Sequence, residues 1–283
     1  MDGHRHRSPQ PHPRLQHVVL AAAIAAGLLG ATGWLGTPRA AAGGYVGHWP
    51  YHWVAGGYQD YRGLGVQAIL SPFVPTVPDA DSQSLGRIAA VSADGNHAIE
   101  LGWAVAPWAY GDSLPHLHVA LRWYDSSING FDYCNDAYAA LQTFCGWVQV
   151  SATDTLGMAL TPGTLYSFKL VYYSGYGGSW AVWLDSELVG YIPATQWQLG
   201  FTQMGRAEWF GEVDAEAAPT CADMGNGLYG TQPGAAQMNW LAVLDGSWVW
   251  HSAAASSHAT VPRLYQVGAF TGASFAYGGP GAC

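Results

Sequence analysis

The chain has 283 residues, 49% of them hydrophobic and only 10% charged, where an average protein carries about 25%. Ten lysines and arginines face 19 acids, a formal net charge of −9. Such a surface repels nucleic acid and anionic membranes, which excludes polyanion-binding roles.

The first 42 residues stand apart. His4, Arg5, His6, Arg7 and Arg14 precede an uncharged apolar run from Val18 to Gly36, and Ala40, Ala41 and Ala42 follow. This is the layout of a secretory signal peptide cleaved before Gly43. The alternative is an uncleaved anchor, since about 19 apolar residues can span a bilayer; both readings put residues 43–283 outside the cytoplasm. Without residues 1–42, 18 acids face 6 bases, a net charge of 6 − 18 = −12. With so few cations, little positive self-repulsion builds up when carboxylates protonate, which suits an acidic setting.

Beyond the leader, residues 43–63 are rich in aromatics and glycine and fit either a first extended strand or a sugar-stacking surface. Pro72, Pro75 and Pro78 mark residues 71–81 as a loop. Period-two alternation then predicts strands at His97–Val105, His116–Trp123, Trp147–Ala152, Leu165–Tyr173, Ser179–Leu184, Glu187–Ile192, Arg206–Val213, Asn239–Leu244 and Ser247–Trp250. Turn signals such as Asp94-Gly95-Asn96, Thr161-Pro162-Gly163 and Asp245-Gly246 separate them. No helical period runs over ten residues beyond the leader. The fold class expected is all-β, an antiparallel sandwich of two sheets, with 43–283 as one domain and a monomer. Four cysteines, an even number in an exported chain, read as disulfides rather than metal ligands. The pairing expected is Cys134 with Cys145, around a short loop, and Cys221 with Cys283, fastening the chain end.

Glutamate is rare, occurring only at positions 100, 187, 208, 212 and 216. On its strand Glu100 shares a face with Gly102 and Ala104, opposite Ile99, Leu101 and Trp103; Glu212 shares a face with Phe210 and Glu208. By pattern alone each is an exposed strand residue or the lining of a groove. Two facing carboxyls share a proton over the acid range, so one activates water while the other protonates the leaving atom. That chemistry serves peptide and glycosidic bonds alike.

The run Ala98-Ile99-Glu100-Leu101-Gly102-Trp103-Ala104-Val105, with Pro107 and Tyr110-Gly111-Asp112, resembles the "IEAGW-V-P-LYGD" signature of the neprosin family of glutamic peptidases. Cys134 and Cys145 with Gly146-Trp147-Val148-Gln149 resemble its "C…CxGFVQ" segment, and Leu188-Val189-Gly190-Tyr191-Ile192-Pro193 its "LVGYWP". Trp209-Phe210-Gly211-Glu212-Val213 resembles "FGGEI", and Met224-Gly225-Asn226-Gly227 resembles "MGSG". The resemblance implies a sandwich with a substrate cleft across one sheet and a catalytic pair at Glu100 and Glu212. It also implies an acid endopeptidase that cuts polypeptides after proline, without metal or organic cofactor. Tyr110, Gln149 and Trp103 fall in the matching segments and are candidates for holding substrate. Plant members carry a propeptide between signal and catalytic domain; about fifty residues separate Gly43 from the first motif here, which implies a short form without that domain.

Four other readings compete. Gly111-Asp112-Ser113-Leu114 spells an esterase nucleophile block, but Asp and His precede the serine and no crossover helices are expected. His116 and His118 point one way on a strand, as two metal ligands would, although a paired surface face is the simpler reading. The 14 tryptophans suit either core packing or a non-catalytic carbohydrate-binding module, and the paired glutamates would also serve a glycosidase.

Overall fold

The computed structural model describes residues 51–78, 82–125, 130–135, 146–175, 177–197, 200–218 and 220–282, with backbone alone at 124, 125 and 130–135. The leader, Cys145, Cys283 and the side chain of Cys134 lie outside the described residues, so the expected disulfide pairing does too. Cys221 is described and is not free.

The described residues form sixteen strands, most of them with alternating side chains. They are β1 (Tyr51–Gly63), β2 (Gly65–Leu70), β3 (Gln83–Val91), β4 (His97–Val105), β5 (His116–Asp125), β6 (Gly130–Asn135), β7 (Val148–Gln149) and β8 (Tyr166–Tyr173). Then come β9 (Ser179–Leu184), β10 (Glu187–Pro193), β11 (Met204–Ala215), β12 (Ala236–Leu244), β13 (Trp250–Ser252), β14 (Ser256–Ala259), β15 (Gln266–Val267) and β16 (Phe275–Gly278). The expected strands at 97–105 and 179–184 match β4 and β9 end to end. The segment predicted at 147–152 keeps only Val148 and Gln149 in a ladder. The one predicted at 247–250 is mostly a turn, because Asp245 Oδ1 accepts the Ser247 and Val249 amides at 2.8 and 2.9 Å. Among the described residues one four-residue α-helix occurs, α1 (Pro107–Tyr110), which opens on Pro107 and ends at Gly111 in the left-handed region at φ 78°.

Two antiparallel sheets form, as the all-β sandwich reading expects. The first runs β14-β1-β11-β3-β4-β5-β6 and the second β15-β16-β12-β2-β8-β9-β10-β7, with β13 on β12. The inner face of the first sheet carries Trp53, Ile88, Ile99, Leu101, Trp103, Leu117, Val119 and Trp209, which enter one core with Val66, Leu70, Phe168, Leu170, Trp180 and Val182 of the second. Trp209 Nε1 donates to the Gln67 carbonyl at 2.9 Å and so ties the two sheets together. Five tryptophans, at 53, 103, 180, 197 and 209, are buried, so the core reading of the tryptophan content holds for them. Each fully buried aromatic contributes on the order of 2–3 kcal/mol by removal from water.

Candidate active site

The outer face of the first sheet is built by register. Arg87 on β3 pairs with Gly102 on β4 and with Phe210 on β11. One row along, Ala89 lies between Glu100 and Glu208; one row the other way, Leu85 lies between Ala104 and Glu212. Residues in register or two apart share a face, so Arg87, Glu100, Glu208, Glu212 and Asp214 project together. On β1, His52 pairs with Asp214 and Val54 with Glu212. Gly102 keeps the ladder close to Arg87: a Cβ there would lie 1.9 Å from the Gly86 carbonyl oxygen and 2.8 Å from the Arg87 Cα.

Glu100 and Glu212, 112 residues apart in sequence, therefore meet on one face, and they meet through Arg87. The guanidinium donates from Nη1 to Glu100 Oε2 and from Nη2 to Glu212 Oε2, the latter at 2.5 Å. This corrects the expectation of exposed strand glutamates, because Glu212 is only 5% exposed and Glu100 is partly buried. It also refines the expectation of two directly facing carboxyls, since a cation stands between them. A buried arginine requires anions to offset its desolvation, and the two glutamates supply them.

A second cation abuts Glu212 on its other oxygen. His52 Nδ1 lies 3.1 Å from Glu212 Oε1 and donates to Asp214 Oδ1 at 2.5 Å. Gln83 Nε2 donates to the other Asp214 oxygen at 2.6 Å. The charge of Glu212, ahead of the bonds to Asp214, pushes His52 up to about 11; the imidazole is 57% exposed, so water screens part of that pull. Burial would raise Asp214, yet the His52 bond and charge, the Gln83 amide and the charge of Arg87 hold it below the usual carboxylate range. Glu208 is raised, first by burial and then by the charge of Glu100. Four acids thus share one patch with two close cations, while Arg206 stands 3.9 Å from Glu208.

Tyr110 ends α1 beside this face. Its hydroxyl lies 3.2 Å from His118 Nδ1, and its ring stacks on His116 at 4.0 Å and 11°. His118 pairs with Gly102, which pairs with Arg87, so Tyr110 walls the patch from the β5 side. His116 and His118 are buried, not a surface face as expected. His116 holds the 107–115 segment in place, with Nδ1 2.7 Å from the Gly157 carbonyl and Nε2 2.9 Å from Asp112 Oδ1. Its bond keeps the Asp112 carboxyl below the usual range.

Two expected substrate contacts fall elsewhere. Trp103 is fully buried on the inner face of β4, where period two puts it opposite Glu100, and it packs edge-on against Phe73. Gln149 sits on β7 of the second sheet, where its amide donates to the carbonyls of Ser151, Asp154 and Val189 and its oxygen accepts from Trp147. It ties a loop. Arg87, His52 and Asp214 were not singled out in the sequence. Asp214 carried a usable signal, since it lies two residues past Glu212 and so on the same face.

Among the described residues, His52, Glu212 and Asp214 bring donor atoms within 4.8 Å of one another, a nitrogen-and-carboxylate set of the kind that binds divalent metals. Arg87 already pairs with Glu212, and a metal would have to displace the proton that the charge of Glu212 and the bond to Asp214 favour on His52. The arrangement suits proton chemistry: two carboxyls of different surroundings on one face of the sheet, with a cation between them.

A solved structure described as scytalido-glutamic peptidase with a peptide-based transition state analog aligns with 80% of this chain and 97% of its own, with a TM-score of 0.43 and 8% identity. The family model for Neprosin matches residues 80–280, a span that takes in β3, β4 and β11 with Arg87, Glu100, Glu208, Glu212 and Asp214. The chain belongs to the neprosin family.

Proposed function

We propose that residues 43–283 form an exported endopeptidase that hydrolyses polypeptides in acid, cutting after proline, with Glu100 and Glu212 as its catalytic residues. Membership of the neprosin family supports a peptidase. The observation that carries the residue assignment is the convergence of two distant glutamates on the one Arg87 guanidinium. One glutamate takes a proton from water as the water oxygen bonds to the peptide carbonyl carbon. The other gives its proton to the nitrogen as the C–N bond breaks, so a carboxylic acid and an amine leave and one proton has crossed the site. Arg87 spreads the charge as the proton moves. Neither a metal nor an organic cofactor takes part in these steps. In this reading the leader is removed before Gly43, Cys134 pairs with Cys145 and Cys221 with Cys283, and the mature protein acts as a monomer.

The test is substitution without change of shape. Glu100→Gln and Glu212→Gln should each lower cleavage of a proline-containing peptide near pH 4 by roughly a thousandfold, with the circular dichroism of the wild type. Undiminished hydrolysis by either variant would eliminate the dyad. Loss of cleavage on adding EDTA to the wild type would move the chemistry to a metal.

A further inference from the structure

The two candidate catalytic glutamates have unlike neighbours. Glu212 has a cation on each oxygen, Arg87 on Oε2 and His52 by Oε1. Glu100 shares Arg87 and has a second acid, Glu208, in its own row across Ala89. His52 is in turn held by Asp214, which Gln83 clamps from the opposite side through a fully made pair of carboxylate contacts. Gln83 is 2% exposed and Asp214 is 3% exposed, so this end of the chain Gln83–Asp214–His52–Glu212 is sheltered from water.

We infer that His52, braced by Asp214 and Gln83, is a positioning residue that fixes Glu212 as the base and so leaves Glu100 as the acid. The inference rests on the peptidase reading for its kinetic consequence but not for its charge arrangement. With His52 Nδ1 3.1 Å from Oε1 and Arg87 on Oε2, both Glu212 oxygens face donors and so act as acceptors, the role in which a carboxylate takes the proton of water. On the Glu100 side the neighbours are Arg87 and a second acid, Glu208, on which the charges of Arg122 and Arg206 also act; what sets Glu212 apart is the His52 contact on its second oxygen. The charged or titratable groups facing Glu212 are His52 on β1, Arg87 on β3, Glu100 on β4, and Glu208 and Asp214 on β11. His116 on β5 lies further along the same row, His118 on β5 and His258 on β14 lie one row away, and Arg122 on β5 and Arg206 on β11 stand beyond, where they act on Glu208.

Two readouts test this. In the first, the imidazole nitrogens of His52 are followed by 15N NMR from pH 5 to pH 10, with the signal assigned by its loss in His52→Gln. His52 should still be protonated at pH 8, where an ordinary histidine is neutral, and should lose that proton at lower pH in Asp214→Asn and Glu212→Gln. Titration near pH 6.5 in the wild type would overturn the inference. In the second, kcat/KM is measured against pH for the wild type, His52→Gln and Asp214→Asn. The acid limb should move up by about one pH unit or more in both variants, with the alkaline limb in place. Movement of the alkaline limb alone would assign Glu212 as the acid and overturn the inference, as would a profile that keeps its limbs while kcat falls. A wild type that cuts no peptide yet shows the expected His52 behaviour would remove the peptidase reading and keep the charge arrangement.

Discussion

The two faces of the first sheet are built from the same strands, and on β4 and along residues 209–214 of β11 both are largely buried, yet they carry different side chains. On β4, Ile99, Leu101 and Trp103 point into the core and are fully buried; Glu100, Gly102 and Ala104 point outward, and only Glu100 keeps partial exposure. On β11, Trp209 and Val213 face in, while Phe210, Glu212 and Asp214 face out and are also buried. Burial therefore does not separate scaffold from site. What separates them is residue type: dispersion and area burial on one side, a patch of paired charges on the other, held a strand's thickness apart.

The comparison is broken most forcefully from the inside. Trp103→Ala should cost about 3–5 kcal/mol of stability by chemical denaturation, the cavity cost of a large buried aromatic, while leaving the limbs of the pH–rate profile where they are. A shifted profile would mean that the inner face reaches into the chemistry. Arg87→Met attacks the outer face and should cost about 3 kcal/mol at neutral pH, since it leaves carboxylates in a sheltered patch without their cation. A neutral or stabilising result would show that water offsets their charge. Gly102→Ala, on the same outer face, should cost about 1–3 kcal/mol, because the ladder must open beside Arg87 to admit the methyl.

The smallest effect is a pH dependence. His52 is raised on folding, so its contribution is fully present below about pH 6.5 and fades as pH rises toward 11. Asp214 is lowered, so its contribution is present above about pH 4 and fades in stronger acid. The stability gap between wild type and His52→Gln should then be widest between about pH 4 and 6.5 and shrink by pH 10. A gap that grows with pH would reverse the sign of the pair.

Much of this was legible in the sequence because half of each strand is apolar. β4 and β9 were readable to the residue, and the glutamates on β4 and β11 could be placed on one face each by counting in twos. β3 was not, because Gln83–Val91 is buried along its whole length and so shows no alternation. Arg87 went with it. The sign that would have exposed it is the scarcity of cations: with six bases in residues 43–283, one set among Gly86, Ile88, Ala89 and Ala90 needs buried anions. His52 had no local signal, since only the pairing of β1 with β11 brings it to Glu212. Trp103 misled for the opposite reason, because it stood in a matched motif while its parity already placed it opposite Glu100.

The central claim is that one glutamate pair bridged by Arg87 opens peptide bonds in acid. The most direct measurement is mass spectrometry of a mixed peptide library incubated with the purified protein and with its Glu212→Gln variant from pH 3 to pH 7. The expected result is new C-termini ending in proline, produced best in the acid half of the range by the wild type and not by the variant. Identical product sets from both proteins, or an intact library with the wild type at every pH, would contradict it.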